Sequence, residues 1–166
     1  MNAKKITYNA LYLAIALAIF TIEAQLPPIV PIPGIKPGLS NIVILVCMIR
    51  QGRPSAFSVL LLRIILSSFF GGQFVSFAYS LSGGMLSFCL MSVLTTLFNK
   101  NTEKIWIISV FGAIAHNFGQ VVCACIIMET PQIISYMSIL TVSAVITGIF
   151  TGFSAMYLLK RIKRGT

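Results

Sequence analysis

Residues 132–164 read QIISYMSILTVSAVITGIFTGFSAMYLLKRIKR. No charged side chain interrupts 132–159, and four basic residues then follow closely: Lys160, Arg161, Lys163 and Arg164. A bilayer core about 30 Å thick takes about 20 apolar helical residues to cross. The run is long enough for that, and its abrupt basic end is what a helix shows where it leaves a membrane. Working outward, apolar runs and their punctuation divide the rest of the chain in the same way. The spans lie at about 6–26, 38–50, 54–70, 74–98, 105–128 and 132–159. A Pro-rich connector, Pro27 to Pro37, separates the first two, and Gly71-Gly72 makes a turn after the third. Span 2 is short for a bilayer, so it is expected to tilt or to be completed by the Pro-rich connector dipping into the outer leaflet.

Composition agrees. Of 166 residues, 57% are hydrophobic and 9% are charged, against about 25% charged in ordinary soluble domains. Six spans use about 120 residues and leave about 46 for loops and tails. The expectation is an all-α integral membrane protein: residues 1–166 as one compact bundle of six transmembrane helices. The basic residues then sort by side. Lys4, Lys5, Arg50, Arg53, Lys100, Lys104 and the C-terminal four share one face of the membrane; Lys36 lies on the other, and Arg63 lies inside span 3. Lys and Arg accumulate in cytoplasmic loops, which makes both termini cytoplasmic. A five- or seven-span count would split this grouping. The net charge of +9 therefore reads as topology, with no nucleic-acid partner. Lys4 and Lys5 before an apolar run resemble the start of a signal peptide, but the run is long and no A-x-A-like site follows, so span 1 is expected to be retained.

Residue types exclude chemistry as well. The acidic residues are Glu23, Glu103 and Glu129, and there is no Asp. A Walker B carboxylate, an aspartyl-phosphate nucleophile and an Asp-rich magnesium–diphosphate site are therefore impossible. No G-x-x-x-x-G-K-[ST] occurs either. No nucleophile–base pair emerges, since His116 and Asn117 point about 100° apart on a helix. The chain is expected not to be an enzyme and to have no catalytic residues. Cys47, Cys89, Cys123 and Cys125 all fall in apolar spans, and the chain has one His. Disulfides, a metal site and a cofactor are not expected.

Helical spacing assigns faces. Ala10, Ala14 and Ala18 repeat every four residues on span 1, a smooth stripe that lets another helix approach closely in lipid. Glu23 lies nine residues after Ala14, about 180° around the helix. A carboxylate in a membrane should face the bundle interior or a water-filled cavity, so the Ala stripe points outward. Three further stripes are expected to face inward: Ser76, Ser80, Gly83, Gly84 and Ser87 on span 4; Gly112, Ala115, His116, Gly119, Gln120 and Cys123 on span 5; Thr141, Ala144, Gly148, Thr151, Gly152 and Ala155 on span 6. Close packing accounts for the small residues. It accounts less well for His116, Asn117 and Gln120, which are costly at membrane depth.

Arg63 and Glu23 are the ionisable residues within the spans besides His116. One reading makes them a buried pair, or joins Arg63 to a backbone network. The other places Arg63, with Lys36 from the loop, in a polar pocket open to the outside, where Arg would grip a carboxylate or phosphate bidentately. The stiff apolar connector Pro27–Gly38 is either a rigid link or a lid over that pocket. Phe69, Phe70, Phe74, Phe77 and Tyr79 read first as an interfacial aromatic belt, and second as a surface for stacking on a ring.

Four segments carry a family resemblance: Pro33-Gly34-Ile35-Lys36-Pro37-Gly38-Leu39-Ser40-Asn41, Leu61-Leu62-Arg63-Ile64, Leu81-Ser82-Gly83-Gly84 and Ala113-Ile114-Ala115-His116-Asn117-Phe118-Gly119-Gln120. With them the chain resembles the Gx transporter family, often labelled heptaprenyl diphosphate synthase component I. More broadly it resembles the substrate-binding S components of energy-coupling factor transporters, through size, six spans and the Ala10–Ala14–Ala18 spacing. The resemblance implies a bacterial cell-membrane protein that takes up a small vitamin-like or quinone- or isoprenoid-related molecule from outside. It implies docking of the alanine motif on a transmembrane coupling subunit, which works with two cytoplasmic ATPase subunits. The synthase label offers the alternative, a non-transport accessory subunit of an isoprenoid, quinone or flavin-based redox system. The candidate substrate-binding residues are Glu23, Lys36, Asn41, Arg63, His116, Asn117 and Gln120; the candidate docking residues are Ala10, Ala14 and Ala18.

Overall fold

The computed structural model describes residues 3–26, 36, 38–71, 74–99 and 101–164. The connector apart from Lys36 and Gly38, Gly72 of the expected turn, and Lys100 lie outside the described residues. Among those described the protein is all α, with no strand. Six helices follow one another: α1 (Ala3–Ala24), α2 (Asn41–Gln51), α3 (Arg53–Gly71), α4 (Phe74–Leu97), α5 (Ile105–Ile127) and α6 (Met137–Arg164). Short 3₁₀ turns at Thr102–Lys104 and Pro131–Tyr136 lead into α5 and α6. Four stretches are long and apolar enough to cross a membrane: Ala3–Ala24, Phe74–Leu97, Thr102–Ile127 and Pro131–Arg161.

The shortest helix holds the centre. At 11 residues, α2 rises only about 17 Å. It begins at Asn41 rather than at Gly38, because residues 38–40 form a tight turn instead. In that turn Asn41 N–H donates to the Gly38 carbonyl at 3.0 Å, and Ile42 N–H to Leu39 at 3.2 Å. Gly38 has φ +78°, a region where an L side chain is strained. At the other end Gly52, with φ +89°, reverses the chain directly into α3. Val43 through Met48 are all buried, and α2 touches each of the other five helices. A helix apolar on every side belongs inside, and α2 is the plug around which the rest is arranged.

Glycines on α4, α5 and α6 bring backbones together. A Cβ at Gly83 would lie 2.6 Å from the His116 carbonyl oxygen, and one at Gly119 would lie 2.8 Å from that of Ser82. On α6, Cβ atoms at Gly148 and Gly152 would meet the Cα atoms of Val110 and Trp106 at 2.6 and 2.5 Å. These contacts join α4 to α5 and α5 to α6, the small-residue packing that replaces the hydrophobic drive between helices in lipid. The inward stripes lie where the spacing puts them. Ser76, Ser80, Gly83, Gly84 and Ser87 are buried on α4, and Gly112, Ala115, His116, Gly119 and Gln120 on α5. On α6, Ala144, Gly148, Thr151, Gly152 and Ala155 are buried; Thr141 on α6 and Cys123 on α5 are half-buried.

By contrast, α1 is peripheral. Among the described residues it packs only on α2 and α3, and only Ala16 and Glu23 are buried along it. Those two are seven residues apart, nearly two full turns, and so share a face. Ala10, Ala14 and Ala18 are exposed. The aromatic-belt expectation needs one correction. Phe69 and Phe74 are exposed at 81% and 89%, but Tyr79 is fully buried, packed with Val121, Ala124, Ile133 and Leu140. The turn Pro131–Tyr136 buries Ile133 in the same apolar cluster, so the depth of Tyr79 along the sequence does not put it at an interface.

Candidate functional site

Lys36 and the short segment Gly38 to Asn41 gather most of the candidate polar residues. They lie among α1, α3 and α5, and each of these helices holds them by a different group. From α1, the Glu23 carboxylate accepts the backbone N–H groups of Gly38 and Leu39, the latter at 3.2 Å. These donors belong to the turn that opens α2, whose cap residue Ser40 makes no side-chain cap of its own. A helix start leaves unsatisfied N–H groups and a partial positive charge. Glu23 therefore caps α2 from another helix. From α3, Arg63 donates through Nη1 to the Ser40 hydroxyl. From α5, the Gln120 side-chain oxygen accepts the Lys36 backbone N–H at 3.2 Å.

That last bond fixes a tautomer. With its oxygen facing Lys36, Gln120 presents its NH₂ group to His116 Nε2 at 3.1 Å. His116 Nε2 then accepts, and the ring proton sits on Nδ1. The ring lies beneath Gly38, where a Cβ would meet His116 Cδ2 at 2.7 Å, and Nδ1 faces the backbone at Gly83. Only glycine at 38 allows the backbone at that position to lie this close to the imidazole.

Two cations converge on one ring. Lys36 Nζ lies 3.9 Å from the centroid of Phe20, and Arg63 Cζ lies 5.8 Å from it. Burial is the largest influence on the Lys36 ammonium and draws its pKa below the usual value; Glu23 opposes that and Arg63 adds to it. Phe20 was not among the sequence candidates. Its position three residues before Glu23, on the same side of α1, was the available signal. Ser40 was also missed as an individual residue, although it lies within a family segment.

Arg63 and Glu23 are both nearly fully buried, at 2% and 3% exposed. They do not form a direct ion pair: Glu23 is bound to the Gly38–Leu39 backbone and Arg63 to Ser40. The Nε and Nη2 atoms of Arg63 have no hydrogen-bond partner among the described residues. Asn41 lies at the edge of this cluster, its amide 3.4 Å from the Ser87 hydroxyl on α4. Asn117 is not part of it. Its side chain turns to α6 and donates to the Leu140 carbonyl at 2.9 Å, which ties α5 to α6. Glu23, Lys36, Arg63, His116 and Gln120 thus form one cluster, with Asn41 beside it and Asn117 outside.

A family model described as heptaprenyl diphosphate synthase component I matches residues 12–158. No curated protein matches the chain, and no solved structure matches it.

Proposed function

The chain belongs to the heptaprenyl diphosphate synthase component I family, and from that premise we propose that it is the membrane substrate-binding component of an energy-coupling-factor-type uptake transporter. It captures a small molecule from outside and releases it inside. The energy comes from a separate transmembrane coupling subunit with two cytoplasmic ATPases. In this reading all six helices lie within the cell membrane of a bacterium, both termini are cytoplasmic, and the chain itself catalyses nothing. A family name that says component already calls for partner subunits.

The observation that carries the reading is the two-sidedness of α1. One side delivers Phe20 and Glu23 to the buried cluster around Lys36 and Arg63. The other leaves Ala10, Ala14 and Ala18 exposed in a smooth row, against which a partner helix packs closely in lipid. A synthase role has less to work with. The chain has no Asp, so it holds no Asp-rich magnesium–diphosphate motif. The test is Ala14→Trp in cells that also make the coupling subunit. The variant is expected to fold with unchanged thermal stability and to lose co-purification with that subunit. Undiminished co-purification defeats the reading.

A further inference from the structure

The unused edge of Arg63 has a specific shape. A guanidinium offers its donors in a planar fork. Nη1 is occupied by Ser40. The two nitrogens left over, Nε and Nη2, are the pair whose N–H bonds run parallel along one side of the fork. That side donates to both oxygens of a carboxylate at once. Its Nη2 end lies beside α4 at Gly84, where an added Cβ would sit 3.9 Å from Nη2 and 3.1 and 3.2 Å from the tips of Leu60 and Ile64.

No carboxylate side chain of the chain can fill it. There is no Asp, and the only other acids are Glu103 and Glu129, both exposed. Glu23 is turned to the backbone of Gly38 and Leu39. The connector Pro27–Ile35 contains no acidic residue either. A buried cation with two unmet donors is costly, and no carboxylate among the described residues compensates them. Local charge says how much compensation is missing. Arg63 and Lys36 contribute two positive charges and Glu23 one negative, with His116 neutral. One positive charge remains. A monoanion cancels it, whereas a diphosphate would overshoot and leave net negative charge at membrane depth.

We infer that Arg63 binds the carboxylate of a monocarboxylate ligand side-on through Nε and Nη2, with the Lys36 ammonium supplying the second positive charge above Phe20. This rests on the reading of the chain as a substrate-binding component. It narrows the ligand to a carboxylic acid and sets aside prenyl diphosphates.

The experiment extracts small molecules retained by the gently purified full chain and treats them with a carbodiimide and an amine, which mass-tag carboxylates. The expected result is a retained species that takes up one tag and gives no phosphate fragment. Arg63→Lys keeps the charge but not the side-on fork, and is expected to lower the retained amount about tenfold or more, the equivalent of one charge-assisted hydrogen bond. Glu129→Gln alters an exposed acid outside the cluster and is expected to retain the species at the wild-type level. Lys36→Gln, on the loop, is expected to reduce it and serves if Arg63→Lys fails to fold. A phosphorylated species, no species, or equal loss in Glu129→Gln and Arg63→Lys overturns the inference. Retention of the tagged species without coupling-subunit binding would instead sink the transporter reading and leave the carboxylate subsite standing.

Discussion

Glu23 does by tertiary contact what an Asp or Ser at a helix cap usually does locally. Its carboxylate takes two backbone donors of the turn that opens α2. Charge-assisted bonds of this kind contribute about 1.5–3 kcal/mol each. Glu23→Gln keeps an accepting oxygen and loses the charge, so it is expected to cost about 1 kcal/mol. Glu23→Ala leaves the donors orphaned and is expected to cost about 3 kcal/mol. Thermal unfolding in detergent reads both, and equal midpoints for Glu23→Ala and wild type would show that the cap is idle. Gly38 is constrained twice, by φ +78° and by the imidazole 2.7 Å from any added Cβ. Gly38→Ala is expected to lower the midpoint by more than Glu23→Gln does. The sequence located Glu23 on the inner side of α1 correctly, because helical periodicity is local. That it would cap α2 was not legible, since its partners lie 15 and 16 residues on, across the Pro-rich connector.

Two adjacent glycines on α4 separate kinds of close packing. At Gly83 the obstacle to a Cβ is a backbone carbonyl at 2.6 Å; at Gly84 it is the far ends of Leu60 and Ile64 at 3.1 and 3.2 Å. Backbone cannot yield without moving α5, whereas a Leu or Ile tip can rotate. Gly83→Ala is therefore expected to cost about 1–3 kcal/mol, in the range of overpacked cores, and Gly84→Ala clearly less. A calorimetric comparison in the same detergent decides it, and the reverse order would mean that α4 and α5 are not held at backbone contact. The α4, α5 and α6 stripes were readable because 3.6-residue periodicity and small side chains mark a lipid-buried interface directly. Tyr79 was misread for the complementary reason. An aromatic belt is inferred from depth along the sequence, and depth carries no information about which way a ring points.

At the scale of the molecule, a short buried α2 sits among longer helices, and α1 is attached along one side only. The proposed topology follows from charge and is open to test with reporters. A fluorescent protein at the C-terminus, of a kind that folds only in the cytoplasm, is expected to fluoresce. Alkaline phosphatase fused after Glu129 is expected to be active, because the proposed topology puts that loop outside. An inactive phosphatase there, with an active one at the C-terminus, would invert the orientation.

The sequence by itself determined the all-helical, membrane-compatible class, the inward small-residue faces and the outward alanine row. It also determined the absence of Asp-dependent chemistry. These follow from how each residue partitions between water and lipid and from a fixed rotation per residue, both of which act over a few positions. Only the tertiary structure decided that α2 is the central plug and that Glu23 binds backbone rather than Arg63. It also decided that Asn117 faces α6, and that one edge of Arg63 is left over. Those outcomes depend on which helices lie side by side, and lipid, being as apolar as the helices, leaves that choice to close contacts between residues far apart in the chain.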